Sequence, residues 1–180
     1  MIILLFGVSN VGKTTIGEVL SNKLNYEFYD LDQEIKNYYH DTIEGFIKRY
    51  PDLEVRDRKR SELLKRLIKG KENVVIAITP ISYIRYFKDI LLKDKVLSIE
   101  LIDTPENIFK RLIFTDENDN IIENMDEYKN RFSKYYLKEI SSDLDFYHRV
   151  FGPVVDNTMF MDGKNPEEIT EIMIKTYGLK

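Results

Sequence analysis

Ile2-Ile3-Leu4-Leu5-Phe6 runs directly into Gly7-Val8-Ser9-Asn10-Val11-Gly12-Lys13-Thr14, and a helical pattern follows over Lys13–Leu24. The first five residues form an unbroken apolar run, as in a strand covered by helices on both faces of a parallel sheet. The next eight match G-x-x-x-x-G-K-[ST], and a strand before with a helix after is the context that gives this pattern its meaning. Two glycines permit a loop tight enough for successive backbone N–H groups to point at phosphate, helped by the positive end of the following helix. The loop therefore predicts a nucleoside triphosphate site made by Gly7, Ser9, Asn10, Val11, Gly12, Lys13, Thr14 and Thr15. Lys13 is expected to reach the β- and γ-phosphates, and Thr14 to ligate Mg²⁺. The bare alternative, an incidental glycine turn ahead of a helix, gives no reason for a lysine at position 13. A nucleotide-dependent switch with little transfer activity is also compatible with this loop alone.

Outward from the loop, further apolar runs at 26–29, 74–78 and 96–101, with a weaker one at 159–161, read as strands. Helical patterns cover 13–24, 57–69, 81–91, 105–114, 126–146 and 166–177. Thr104-Pro105-Glu106 and Asn165-Pro166-Glu167 each place a cap, a first-turn proline and an acid in helix-starting order. Strand and helix alternate throughout, which predicts an α/β sandwich on a parallel sheet, with all 180 residues in one domain.

Composition narrows the function. The chain is 43% hydrophobic and 32% charged, which is ordinary for a globular protein. It has no cysteine, which removes disulfides, thiolate metal sites and thiol nucleophiles together. His40 and His148 have no acid or histidine at a metal-ligand spacing. A net charge of −4 argues against a nucleic-acid surface, and the run Ile2–Phe6 is too short for a membrane span or signal segment, so the expected location is the cytoplasm.

At the end of the second strand stand Asp30 and Asp32, separated by one residue. The carboxyl edge is where open α/β sheets place ligands, and two such acids suit one Mg²⁺ contact and one hydrogen bond to an acceptor hydroxyl. A plain alternative is that one of them caps the next helix. Downstream lies the cluster Arg56-Asp57-Arg58-Lys59-Arg60, which reads equally as a solvated helix face or as a source of one inward arginine, at 56, 58 or 60.

Through residues 7–14, the Asp30-x-Asp32 pair and Arg56, the chain resembles the shikimate kinase family of P-loop kinases. The resemblance implies a five-stranded sheet of order 2-3-1-4-5, an acceptor-binding region near 32–62 and a lid near 115–127. It also implies ATP and Mg²⁺ as cofactors, Thr14 and Asp30 as metal contacts, Asp32 against the acceptor hydroxyl, and Arg56 against an acceptor carboxylate. Lys13, Asp32 and Arg111 are the implied catalytic set, with Arg111 near the adenine and phosphates. The partner so implied is a small hydroxyl compound, with or without a carboxylate.

Three departures bear on that acceptor. Where the family has glycines after the third strand, this chain has Ile78-Thr79-Pro80, and proline lacks an N–H and fixes φ. The expected lid is acidic, with Asp116, Glu117, Asp119, Glu123, Asp126 and Glu127 and no Lys or Arg, where the family's is basic. Positive charge there is left to Arg111, Lys129 or Arg131. The family's arginine before the last strand has only Arg131 and Arg149 as candidates. Tyr38, Tyr39, Phe46, Tyr50, Tyr83, Tyr86 and Phe87 crowd the acceptor-side segments, and packing is the expected role for most of them.

Overall fold

The computed structural model describes residues 1–114, 121 and 125–180. Five parallel strands, β1 (Ile2–Phe6), β2 (Glu27–Asp30), β3 (Val74–Ala77), β4 (Val96–Ile102) and β5 (Asn157–Phe160), form one sheet. Their order is β2-β3-β1-β4-β5, as expected. Around it lie α1 (Lys13–Leu24), α2 (Leu31–Tyr39), α3 (Ile43–Arg49), α4 (Leu53–Leu67), α5 (Lys88–Leu91), α6 (Pro105–Arg111), α7 (Met125–Phe151) and α8 (Pro166–Tyr177).

Strand pleating sorts the apolar side chains into two cores. Ile2, Leu4, Phe6, Val74 and Ile76 face Leu31, Ile35, Phe46, Leu64, Phe87 and Phe151 on one side of the sheet. Ile3, Leu5, Val75, Ile99 and Leu101 face Ile16, Leu20, Ile108, Ile169 and Met173 on the other. All five β1 side chains are buried, each contributing about 1.5–3 kcal/mol by transfer from water. That is why β1 reads as continuously apolar instead of alternating.

The elements differ from the sequence expectation in four places, the smallest being α6, which stops at Arg111 instead of running to 114. The segment 31–52 folds into α2 and α3, and α4 begins four residues ahead of position 57. Each helix has a side-chain cap: Asp30 for α2, Thr42 for α3 and Asp52 for α4. The pattern over 81–91 yields only a 3-10 turn, Ile84–Tyr86, and the four-residue α5. Its start is diverted because the amides of Ser82 and Tyr83 donate to Asp57 Oδ2, which holds Tyr83 at φ −104° and ψ 66°, outside the helical range. Finally, α7 runs on to Phe151, which is buried against Phe6 and Tyr147 at ring separations of 5.3 and 5.6 Å. Of the segment expected to form a lid, residues 115–120 and 122–124 lie outside the described residues.

Candidate active site

The loop between β1 and α1 is shaped by backbone demands that only some residues meet. Gly7 has φ 138°, and a Cβ there would lie 2.5 Å from the Leu101 carbonyl oxygen, so β4 passes too close for any side chain. Asn10 and Gly12 also have positive φ, at 59° and 111°. Val11 anchors the loop from beneath, fully buried in the second core, while Ser9, Asn10, Thr14 and Thr15 are exposed above it. Lys13 Nζ donates to the carbonyls of Gly7 at 3.0 Å and Val8 at 2.7 Å. Burial lowers its pKa to about 8, against the pull of Asp32 and Asp30.

Both acids stand at the carboxyl edge beside this loop. Asp30 does cap α2, its Oδ1 accepting the amides of Asp32 at 2.9 Å and Gln33 at 3.3 Å. Its other oxygen accepts the Thr14 hydroxyl at 2.6 Å, so one carboxylate both starts a helix and meets the phosphate loop. Asp32 behaves differently. Burial and the neighbouring Asp30 raise its pKa, while Arg60, a hydrogen bond from Thr79 and Lys13 act in the opposite direction. Its Oδ1 is buried with no protein partner. A cavity of about 220 Å³ lies between the loop and β3, lined by Ser9, Asn10, Lys13, Thr14, Asp30, Asp32 and residues 77–80.

Of the three candidate arginines in α4, the one turned inward is Arg60. It is 6% exposed and pairs through Nη1 with Asp57 Oδ1 at 2.8 Å. Arg56, the position implied by resemblance, donates through Nη1 to the carbonyls of Tyr50 and Pro51, both at 3.1 Å, while its Nε, like that of Arg60, is buried with no protein partner. Arg58 is exposed. Asp57 is wholly buried, and its i,i+3 spacing to Arg60 was the only sign of their pairing in the sequence.

Arg111 lines a second cavity at the loop, of about 350 Å³, with Asn10, Gly12, Lys13, Thr14, Thr15 and Ile113. Its Nη2 donates to Asp103 Oδ2 at 2.6 Å. Burial works against the ionised form of Asp103, but hydrogen bonds from Asn107, Arg111 and the Thr104 amide hold its pKa below the ordinary value. That fixes Arg111 beside the loop. Arg131 and Arg149 do not join the site: both are exposed, one over the Phe132 ring and the other donating to the Asp145 carbonyl. Lys129 reaches the Lys110 carbonyl at 3.1 Å. Among the aromatics, Phe46 and Phe87 are core, and Tyr50 packs edge to face with Tyr39 and Phe46, as expected of packing residues. Nothing local in the sequence marks Glu139 and Asp143 of α7, which line a cavity with loop residues 8–10.

A parallel sheet of this order, with a phosphate loop after β1 and an acid pair after β2, defines a P-loop kinase of small molecules. The chain belongs to the shikimate kinase family, whose sequence profile matches residues 9–173. It is similar to the shikimate kinase of Enterococcus faecalis, at 29% identity over 93% of this chain and 92% of that one. It is 34% identical to the shikimate kinase of Pelotomaculum thermopropionicum over a shorter stretch, 61% of this chain and 63% of that one. In structure it resembles shikimate kinase from Bacteroides thetaiotaomicron, with a TM-score of 0.77, 19% identity and 99% of each chain covered. The chain is thus a small-molecule kinase that moves phosphate to a hydroxyl, in a family that uses ATP and Mg²⁺. No helix among the described residues is long and apolar enough to cross a membrane.

Proposed function

We propose that residues 7–15 bind the triphosphate of Mg·ATP and that Asp32 receives the hydroxyl of a small acceptor held against α2, α3 and α4, residues 32–62. The observation that carries this reading is the unpartnered, buried Asp32 Oδ1 in the cavity that also holds Lys13 and Thr14. A buried acceptor atom without a donor is costly unless a ligand supplies one. Thr14 and Asp30 present two hard oxygen donors beside the phosphate site, which suits a metal held by one or two protein oxygens together with substrate phosphates. Mg²⁺ bound there would neutralise charge on the phosphates.

In the transfer, the acceptor hydroxyl gives its proton to Asp32 as its oxygen bonds the γ-phosphorus. The bond from that phosphorus to the bridging oxygen breaks with its electron pair leaving on ADP. The raised pKa of Asp32 makes it a stronger base than an ordinary carboxylate. Lys13, the loop amides and Arg111 stabilise the charge that develops on the phosphates.

The test is ADP release from Mg·ATP with no acceptor, with shikimate, and with a panel of nucleosides, nucleotides and sugar acids. Acceptor-dependent ADP release is the expected result; ATP binding with only background hydrolysis across the panel would favour a nucleotide switch instead.

The lowered pKa of Lys13 gives a second check. Phosphate binding needs the ammonium form, so affinity for Mg·ATP should hold steady up to about pH 8 and then weaken by about tenfold per pH unit. Titration calorimetry between pH 7 and 10 reads this directly. Lys13→Ala should bind more weakly and lose that slope; a slope that persists in the variant assigns it to another group.

A further inference from the structure

Asp103 stands just past the end of β4 and is buried, and its two carboxylate oxygens are put to different uses. Oδ1 accepts the Thr104 amide at 2.8 Å, the Asn107 side-chain amide at 2.9 Å and the Gly163 amide at 3.3 Å. One oxygen thus joins the end of β4, the first turn of α6 and the turn after β5. The fit there is close, since a Cβ on Gly163 would lie 3.0 Å from Asn107 Nδ2, and φ at Gly163 is 67°. Oδ2 accepts Arg111 Nη2 at 2.6 Å.

Arg111 needs that partner because of where it sits. It is the last residue of α6, a helix of seven residues, and the end of so short a helix holds its final side chain weakly on its own. Side chains of a helix lean toward its N-terminus, and Arg111 follows that direction back over about two turns to Asp103. The same side chain lines the cavity of Lys13 and Thr14, so the tether sets where a cation stands beside the phosphate loop. Arg111 Nε is buried with no protein partner, so the ion pair with Asp103 does not use up the guanidinium.

We propose that Asp103 is a positioning residue for phosphoryl transfer: through Oδ2 it holds Arg111 against the phosphate loop, and through Oδ1 it fixes the frame from which it does so. The inference rests on the phosphotransferase reading above, in which Arg111 acts on the nucleotide phosphates.

Asp103→Asn separates the two oxygens. An asparagine oriented by Thr104, Asn107 and Gly163 keeps a carbonyl oxygen for them and turns an amide donor toward Arg111, which has nothing to accept it. We expect kcat/KM for ATP to fall by about tenfold, because a displaced charge loses much of its effect on the reacting phosphate. The KM for the acceptor should stay within about twofold. Arg111→Met should cost at least as much, and the double variant no more than Arg111→Met alone, because the aspartate acts through the arginine. An unchanged kcat/KM in Asp103→Asn, losses that multiply in the double variant, or an equal rise in both KM values overturns the proposal. Arg111→Lys reads the same link from the other end and does not depend on how Asp103→Asn folds. Lysine keeps the charge but lacks the fork that reaches Asp103 and the cavity together, so it should lose nearly as much as Arg111→Met; wild-type activity there also overturns the proposal. Turnover of the wild type tests the reading beneath. If it binds Mg·ATP but transfers to no acceptor, that reading fails, and the same variants compared on background ATP hydrolysis decide this one.

Discussion

Asp32→Asn is expected to lower turnover by about 10²- to 10⁴-fold, the range that a positioned general base contributes, while the affinity for Mg·ATP changes little. The asparagine preserves shape but cannot take a proton, and its amide group places a donor where the acceptor hydroxyl has to donate. The nucleotide half of the site should be undisturbed, because Asp30, not Asp32, caps α2 and meets Thr14. Steady-state kinetics and nucleotide titration of the same preparation check both parts. Burial and Asp30 raise the pKa of Asp32, so the wild-type kcat/KM for the acceptor should fall on the acid side at a pH above the ordinary carboxylate value. In Asp32→Asn that acid limb should vanish from the residual activity. A variant that keeps full turnover would assign the proton to another group or to solvent.

Lys13→Ala is expected to reduce kcat/KM for ATP by about 10²- to 10³-fold, the scale seen when one preorganised donor to a developing anion is removed. What distinguishes this from damage to the fold is thermal stability at pH 7. The folded-state pKa of Lys13 lies below its unfolded value, so the buried ammonium opposes folding fully below about pH 8, and the penalty fades as pH rises toward 10.5. Removing it relieves that penalty while giving up hydrogen bonds to the Gly7 and Val8 carbonyls. The variant should therefore melt at the wild-type temperature or above it at pH 7, and lose that advantage by pH 10. A large fall in melting temperature at neutral pH would make Lys13 structural and weaken its assignment to phosphate.

The acceptor cleft and the nucleotide site differ in how they are built, and so in what a mutation there can reveal. The phosphate loop is one contiguous stretch braced on a strand and a helix, and its variants report on nucleotide. The proposed acceptor cleft beside Asp32 draws on α2, α4 and the chain after β3, so Asp57 or Thr79 cannot be changed without also disturbing how these segments sit together. Truncating Asp57 would leave Arg60 buried and the amides of Ser82 and Tyr83 unmet, a combination that destabilises a fold strongly.

Contiguity also explains what was legible in the sequence. Gly7, Gly12, Lys13 and Thr14 were readable because a phosphate loop needs its residues at fixed neighbouring positions, and the strand before it declared itself by unbroken apolarity. Asp30 and Asp32 were readable for the same reason, at the end of the next strand. The sheet order came from resemblance, and the β2-β3-β1-β4-β5 pairing agrees with it. In contrast, α4 places Arg56 and Arg60 one helical turn apart on the same face, so periodicity could not choose between them. The choice was made by what packs against each turn: the carbonyls of residues 50–51 against Arg56, and Asp57, tied to the amides of 82–83, beside Arg60. Glu139 and Asp143 join the phosphate loop across some 130 residues of chain, and nothing local to either marks them. The sequence by itself determined the phosphate-loop pattern, because its residues are contiguous; only the tertiary structure decided that Arg60 turns inward onto Asp57, because that depends on which faces of separate elements meet.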